Sequence, residues 1–172
     1  MKKSYIVKVA DWVSEMKKVE LCEEKGVYFI FAASPAEKTG NYPRSTLHEL
    51  LYIGRSKGVN DRINGQHHRH EDILNSCKKY KNARPVYFYG EVLSENGADC
   101  TKDDIIRVES ALIFSKQPTL NATADKKFHH DDTSITLMRA SDTINKNADG
   151  SLKPLPPAFK GDSVLVKKDD EA

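Results

Sequence analysis

The chain has 172 residues, 38% of them hydrophobic and 30% charged, with a net charge of +2. That length buries a core without disulfide or metal staples and suits one domain of ordinary size with an extension. No apolar run approaches the roughly 20 residues of a bilayer span, and Lys2, Lys3, Lys8 and Asp11 interrupt any secretory segment, so a soluble cytoplasmic protein with no membrane contact is expected.

In chain order, Tyr5 to Val9 reads as a short strand, and Trp12, Met16 and Val19, at offsets of four and three, predict an amphipathic helix from Asp11 to about Glu24. Gly26 ends it. Val27 to Ala33 is a run of aromatic, β-branched and small apolar residues bounded by Gly26 and Ser34-Pro35, the pattern of a strand buried on both faces. Pro35, Gly40, Asn41 and Pro43 mark a loop, and Leu47 to Gly54 resumes as a second strand. Val59, Ile63 and Gln66 predict a helix that breaks near Gly65, followed by another from about Glu71 to Tyr80 and a third strand over Val86–Leu93. Thr101 with Asp104 resembles a capping box that opens a helix carrying Ile105, Val108 and Leu112 on one stripe, closed by Pro118. This order predicts an α+β fold, a small three-stranded antiparallel or mixed sheet flanked by helices. Residues 1–24 form an N-terminal strand and helix extension, 25–125 the main domain, and 126–172 a partly ordered C-terminal extension in which Ile135–Met138 is the convincing strand.

Cys22, Cys77 and Cys100 are odd in number and form no CxxC pair, which argues against a disulfide framework or a zinc knuckle. The small net charge hides an uneven distribution. Between Arg55 and Arg84 eight basic residues face three acids, a balance of +5. Alone, such a run reads as a solvated face; a phosphate-binding surface needs further support.

That support comes from polar residues set in apolar elements. Glu109 follows Ile105 by four residues and precedes Leu112 by three, so its carboxylate projects from the apolar stripe, where it must be neutralised, paired with a cation or bound to a metal. An ion pair with one arginine is the plain alternative. Tyr28 sits in the first strand as Gly26-Val27-Tyr28, and Tyr52 ends the second as Tyr52-Ile53-Gly54. With period 2, Tyr28 shares a face with Ile30 and Ala32, and Tyr52 with Leu50 and Gly54; pairing the strands brings both hydroxyls to one side. Arg62 follows ten residues after Tyr52, with Arg55 and Lys57 in the connection.

These residues resemble the GIY-YIG nucleases, a family that includes intron-encoded homing endonucleases, some restriction enzymes and the incision domain of bacterial excision repair. The resemblance covers about Lys25 to Ala124 and consists of five positions in the family's order. Gly26-Val27-Tyr28 is similar to the first signature and Tyr52-Ile53-Gly54 to the second. Arg62 stands where the family has its helix arginine, Glu109 where it has its metal-binding glutamate, and Asn121 where it has a late asparagine. Two departures accompany it. Tyr52 lies 24 positions after Tyr28, about twice the usual separation, which makes Ala33 to Leu47 an insertion; and Gln66, with His67 beside it, occupies the place one turn after the arginine where some members carry histidine or lysine.

The resemblance implies a metal-dependent DNA endonuclease whose catalytic residues are Tyr28, Tyr52, Arg62, Glu109 and Asn121, with Arg55, Lys57 and His67 contacting substrate. Glu109 would hold one Mg²⁺ or Mn²⁺, Arg62 would fork onto non-bridging phosphate oxygens, and Asn121 would fix the geometry of a neighbouring group. A free phenol is ionised about once in a thousand at pH 7, so using one as a base takes roughly 4 kcal/mol of differential stabilisation. Tyr28 is assigned to the attacking water and Tyr52 to the metal's water shell or the phosphate, with the reverse assignment open. A monomer suffices for nicking and a homodimer for cutting both strands. Two other readings remain, a nucleic-acid-binding module without turnover and a structural protein with a buried Arg62–Glu109 ion pair.

Overall fold

Alternation and β-branched or aromatic content produce six strands, β1 (Lys3–Val13), β2 (Gly26–Ser34), β3 (Thr46–Arg55), β4 (Arg84–Ser94), β5 (Thr133–Arg139) and β6 (Ser163–Val166). Among the described residues two helices accompany them, α1 (His70–Cys77) and α2 (Lys102–Lys116). The structure is a computed structural model that describes residues 2–13, 26–35, 46–55, 67–121, 128–139 and 163–168. The strands form one sheet in the order β3-β2-β4-β1-β5-β6, antiparallel at every seam except the parallel β1–β5 pair.

β2 is buried along its whole length up to Ser34, as its unbroken apolar sequence requires, because both faces of the sheet are covered there. On one face Val27, Phe29, Phe31, Ile53 and Phe88 pack with Ile105, Val108 and Leu112 of α2. On the other, Tyr28, Ile30, Leu51, Tyr87 and Tyr89 pack with Ile73 and Cys77 of α1. Burial of each large apolar side chain here is worth about 1.5–3 kcal/mol. α2 begins with the capping box expected of Thr101 and Asp104: the Asp104 amide donates to Thr101 Oγ1 at 3.3 Å, and the Asp104 carboxylate accepts from the Thr101 amide at 3.1 Å.

The expected three-stranded sheet flanked by helices is corrected: the sheet is a six-stranded mixed half-barrel with two helices among the described residues, and strand dominates. β1 and β5 supply the reason. Tyr5, Val7 and Val9 alternate into the α2 side of the core, and β1 continues through Trp12 because its backbone is paired with β4 from Tyr5↔Ser94 to Val13↔Tyr87. Over Asp11–Val13 pairing across the sheet replaces the start of the expected helix; its remainder, with Met16 and Val19, lies outside the described residues. β5 extends the predicted Ile135–Met138 strand and runs parallel to β1, and β6, four residues within the predicted C-terminal extension, buries Val164 and Val166. The helix read from Val59, Ile63 and Gln66, and most of the insertion between Ala33 and Leu47, also lie outside the described residues. Among the described residues no helix is long and apolar enough to cross a membrane.

Candidate functional site

The two signature glycines are required by tyrosines on neighbouring strands. Tyr28 pairs with Gly54 on β3 and with Tyr89 on β4. A Cβ on Gly54 would stand 2.5 Å from Cζ and Oη of Tyr28, so the Tyr28 ring lies over the bare backbone of β3. A Cβ on Gly26 would stand 2.3 Å from the Gly90 carbonyl oxygen and 2.6 Å from Tyr89 Oη. Both contacts are far inside van der Waals range, which explains glycine at both positions.

The rings of Tyr28 and Tyr52 stack with centroids 6.0 Å apart and planes at 28°. The expected common side is met, by a route different from simple alternation. The register slips between Ile30↔Tyr52 and Phe31↔Leu50, which leaves Leu51 as the extra residue of a bulge. Leu51 therefore joins Tyr52 on the α1 side, and Leu50, expected on the face of Tyr52, packs against the core on the α2 side.

His67, only 4% exposed, completes this cluster. Its Nε2 lies 3.2 Å from Tyr28 Oη, and its ring meets that of Tyr52 edge-on at 4.9 Å. Its Nδ1 accepts the backbone N–H of Arg69 at 3.0 Å. An amide can only donate, so the neutral ring carries its proton on Nε2 and donates it to the Tyr28 oxygen. His68 stacks on His67 at 4.7 Å, so the rings lead from the buried Tyr28 to an exposed imidazole.

Glu109 is tucked beside β3, its side chain 17% exposed, and forms an ion pair with Arg55 Nε at 2.6 Å. The carboxylate thus meets a cation, as its place in the apolar stripe demanded. Arg55 pairs with Val27 and follows Ile53 by two, so it lies in the strand phase that faces α2, opposite to that of Tyr28 and Tyr52. Arg62 and Lys57 lie outside the described residues. Among the described residues no three His, Cys, Asp or Glu side chains gather into a metal cage. The Glu109 carboxylate is an oxygen donor of the kind that would hold an ion such as Mg²⁺, which keeps most of its positions for water and phosphate oxygen.

Asn121 lines the outer edge of β3. Its Oδ1 accepts from the Ile53 amide at 2.9 Å and its Nδ2 donates to the Ile53 carbonyl at 2.8 Å. The residue it holds stands between Tyr52 and Gly54. The Leu120 amide donates to the Leu51 carbonyl at 2.8 Å, so the 119–121 segment closes the edge that β3 would otherwise expose.

Two contributors are not legible in the sequence. Tyr89, across from Tyr28, is legible only once β4 is paired with β2. Glu49 accepts the Tyr80 hydroxyl at 3.0 Å and the Thr119 hydroxyl, which ties α1 and the Asn121 segment to β3. That hydrogen bond from Tyr80 to Glu49 holds the phenol's pKa above its ordinary value.

No protein-family model, curated protein or solved structure matches this chain.

Proposed function

We propose that this chain is a metal-dependent DNA endonuclease, in which Tyr28, Tyr52, Arg62 and Glu109 act on the phosphodiester and Arg55 and Lys57 contact substrate. Asn121 and His67, expected in the site, act as positioning residues because their polar atoms are taken by Ile53 and by Tyr28 and the Arg69 amide. The observation that carries the reading is the donation from His67 Nε2 to the Tyr28 hydroxyl oxygen at 3.2 Å, against the stacked ring of Tyr52. Side chains and not architecture support this chemistry, since the sheet has three strands more than the resemblance implied.

Phosphodiester hydrolysis requires an aligned water and stabilisation of the charge on the phosphorus oxygens. Tyr28 orients the attacking water and draws its proton. To do so Tyr28 must first be a phenolate, its own proton lost to solvent; the His67 N–H aimed at its oxygen stabilises that phenolate, and the phenol re-forms when the proton of the water arrives. Asn121 keeps the β3 backbone between Tyr52 and Gly54 in place. The guanidinium of Arg62 forks onto the phosphate, a geometry that lysine lacks. A divalent ion held by Glu109 would supply Lewis-acid stabilisation of the phosphate.

A second reading, a nucleic-acid-binding module without turnover, is favoured by two observations: Glu109 is paired with Arg55 at 2.6 Å, and that pair lies on the α2 side of the sheet, opposite Tyr28 and Tyr52. The two readings part in a plasmid assay. With Mg²⁺ or Mn²⁺ the protein should nick supercoiled DNA, and Glu109→Ala should abolish nicking while DNA binding persists. Undiminished nicking by Glu109→Ala sinks the site assignment; wild-type binding with no nicking under either metal selects the binding module.

A further inference from the structure

The nuclease reading uses only the first part of the basic run. Of the remaining five, Arg69 is paired with Asp72, and Lys78, Lys79, Lys81 and Arg84 fall at the end of α1 and in the turn into β4, all four exposed. The backbone that bears them is pinned. Ser34 Oγ donates to the Lys81 carbonyl at 2.7 Å. With its single proton committed there, Ser34 accepts from His48 Nε2 at 2.7 Å. The His48 ring lies flat on Tyr80, centroids 4.5 Å apart and planes at 2°. The acids of α1, Glu71 and Asp72, sit in its first turn, with Asp72 paired to Arg69 at 3.0 Å. Glu49, the acid beneath the turn, accepts from Tyr80 and Thr119. Complementing the helix dipole accounts for Lys78 and Lys79; Lys81 and Arg84 lie beyond the range of that effect.

We propose that Lys78, Lys79, Lys81 and Arg84 form a phosphate-tracking surface for duplex DNA, on which the arm of the substrate next to the Tyr28–Tyr52–His67 cluster rests. The identity of the ligand rests on the endonuclease reading. α1 has eight residues and begins three positions after His67. Its length is about 12 Å at 1.5 Å per residue, or roughly three to four nucleotides at about 3.4 Å per nucleotide. A strand that passes the tyrosines therefore reaches the lysines a few nucleotides further on. Among the described residues no base-reading element accompanies these four cations, so they give backbone contact, which positions a duplex without reading its sequence. The rings beside the lysines, His48 and Tyr80, spend one face each on the other, so the patch offers mainly charge.

The test is fluorescence anisotropy of the full chain with a labelled 30-base-pair duplex across a salt series. Divalent metal is omitted, so cleavage does not enter the readout. Lys78→Gln/Lys79→Gln/Lys81→Gln should lower the slope of log affinity against log salt by roughly 3, about one per phosphate contact, and equally for two unrelated sequences. A control with the same charge loss at exposed Lys102, Lys167 and Lys168 should keep the wild-type slope. Equal slopes for wild type and the first variant, equal losses in both variants, tighter binding of duplex RNA, or no detectable DNA binding would each overturn the proposal. The plasmid assay judges cutting separately, so a protein that nicks DNA yet shows no slope change loses only this surface. One that shows the slope change but never nicks loses only the nuclease reading.

Discussion

Asn121 holds Ile53 by both of its backbone polar groups, accepting from its amide at 2.9 Å and donating to its carbonyl at 2.8 Å, across 68 positions of sequence. A backbone amide only donates and a carbonyl only accepts, so the orientation of the Asn121 amide is fixed by its partners. This clasp sets the edge strand on which Tyr52 and Gly54 stand.

Asn121→Ala should therefore cost about 1–3 kcal/mol, since it strips partners from two backbone groups of a buried residue. Asn121→Asp should also destabilise, because a carboxylate cannot donate to the Ile53 carbonyl. Urea midpoints with unchanged m-values would measure this. A midpoint equal to wild type for Asn121→Ala would show that the clasp contributes nothing.

The glycines should respond differently from each other. Gly26→Ala drives a methyl into a backbone carbonyl 2.3 Å away and cannot be relieved by a side-chain rotation. Gly54→Ala meets the Tyr28 ring, so its cost, about 1–3 kcal/mol for overpacking, should shrink in the Tyr28→Ala background. A double-mutant cycle reads the coupling. Additive losses for Gly54 and Tyr28 would refute the contact.

Asp104 links β1 to α2 and should make stability depend on acid. Burial alone would raise its pKa, but hydrogen bonds from Tyr5 at 2.7 Å, from Thr101 and from Lys3 hold it well below the ordinary carboxylate value. A carboxyl whose pKa is lower in the folded state than in the unfolded chain stabilises the fold above the unfolded value and loses that contribution as pH falls below it. Asp104→Asn should thus be destabilised by a constant amount near neutrality, and the gap to wild type should close progressively below about pH 4. Thermal unfolding at a series of pH values tests it; a gap that widens in acid has the wrong sign.

The Cys100 thiol should be slow to alkylate. Burial first, then the charges of Asp104 and Asp99, push its pKa up to about 11. At pH 8 about one thiol in a thousand is ionised, against roughly a quarter for a free cysteine. Iodoacetamide labelling followed by peptide mass spectrometry should show Cys100 reacting far more slowly in native protein than in urea, and equal rates would contradict its surroundings.

Legibility in the sequence followed the range of the interactions. Thr101 and Asp104 are three residues apart, and their capping box was readable because a helix start is a local event. The unbroken apolar run of β2 and the carboxylate of Glu109 in an apolar stripe were readable for a similar reason: periodicity reports which side chains must leave water. The number of strands was not. The segment through Trp12 satisfies a helical spacing, and its place in β1 is decided by partners around Tyr87 and Ser94, more than seventy positions away.

From the residues alone came the need for a partner at Glu109, the expectation that two strand tyrosines share a side, and the glycines beside them, all consequences of burial and of backbone alternation. Tertiary structure alone decided which cation answers Glu109, which rings press on Gly26 and Gly54, and where β3 bulges. It also brought His67 to Tyr28 over 39 positions, with the Arg69 amide selecting the tautomer. Such choices depend on register and on distant chain segments meeting, and no local pattern encodes the free energy of those encounters.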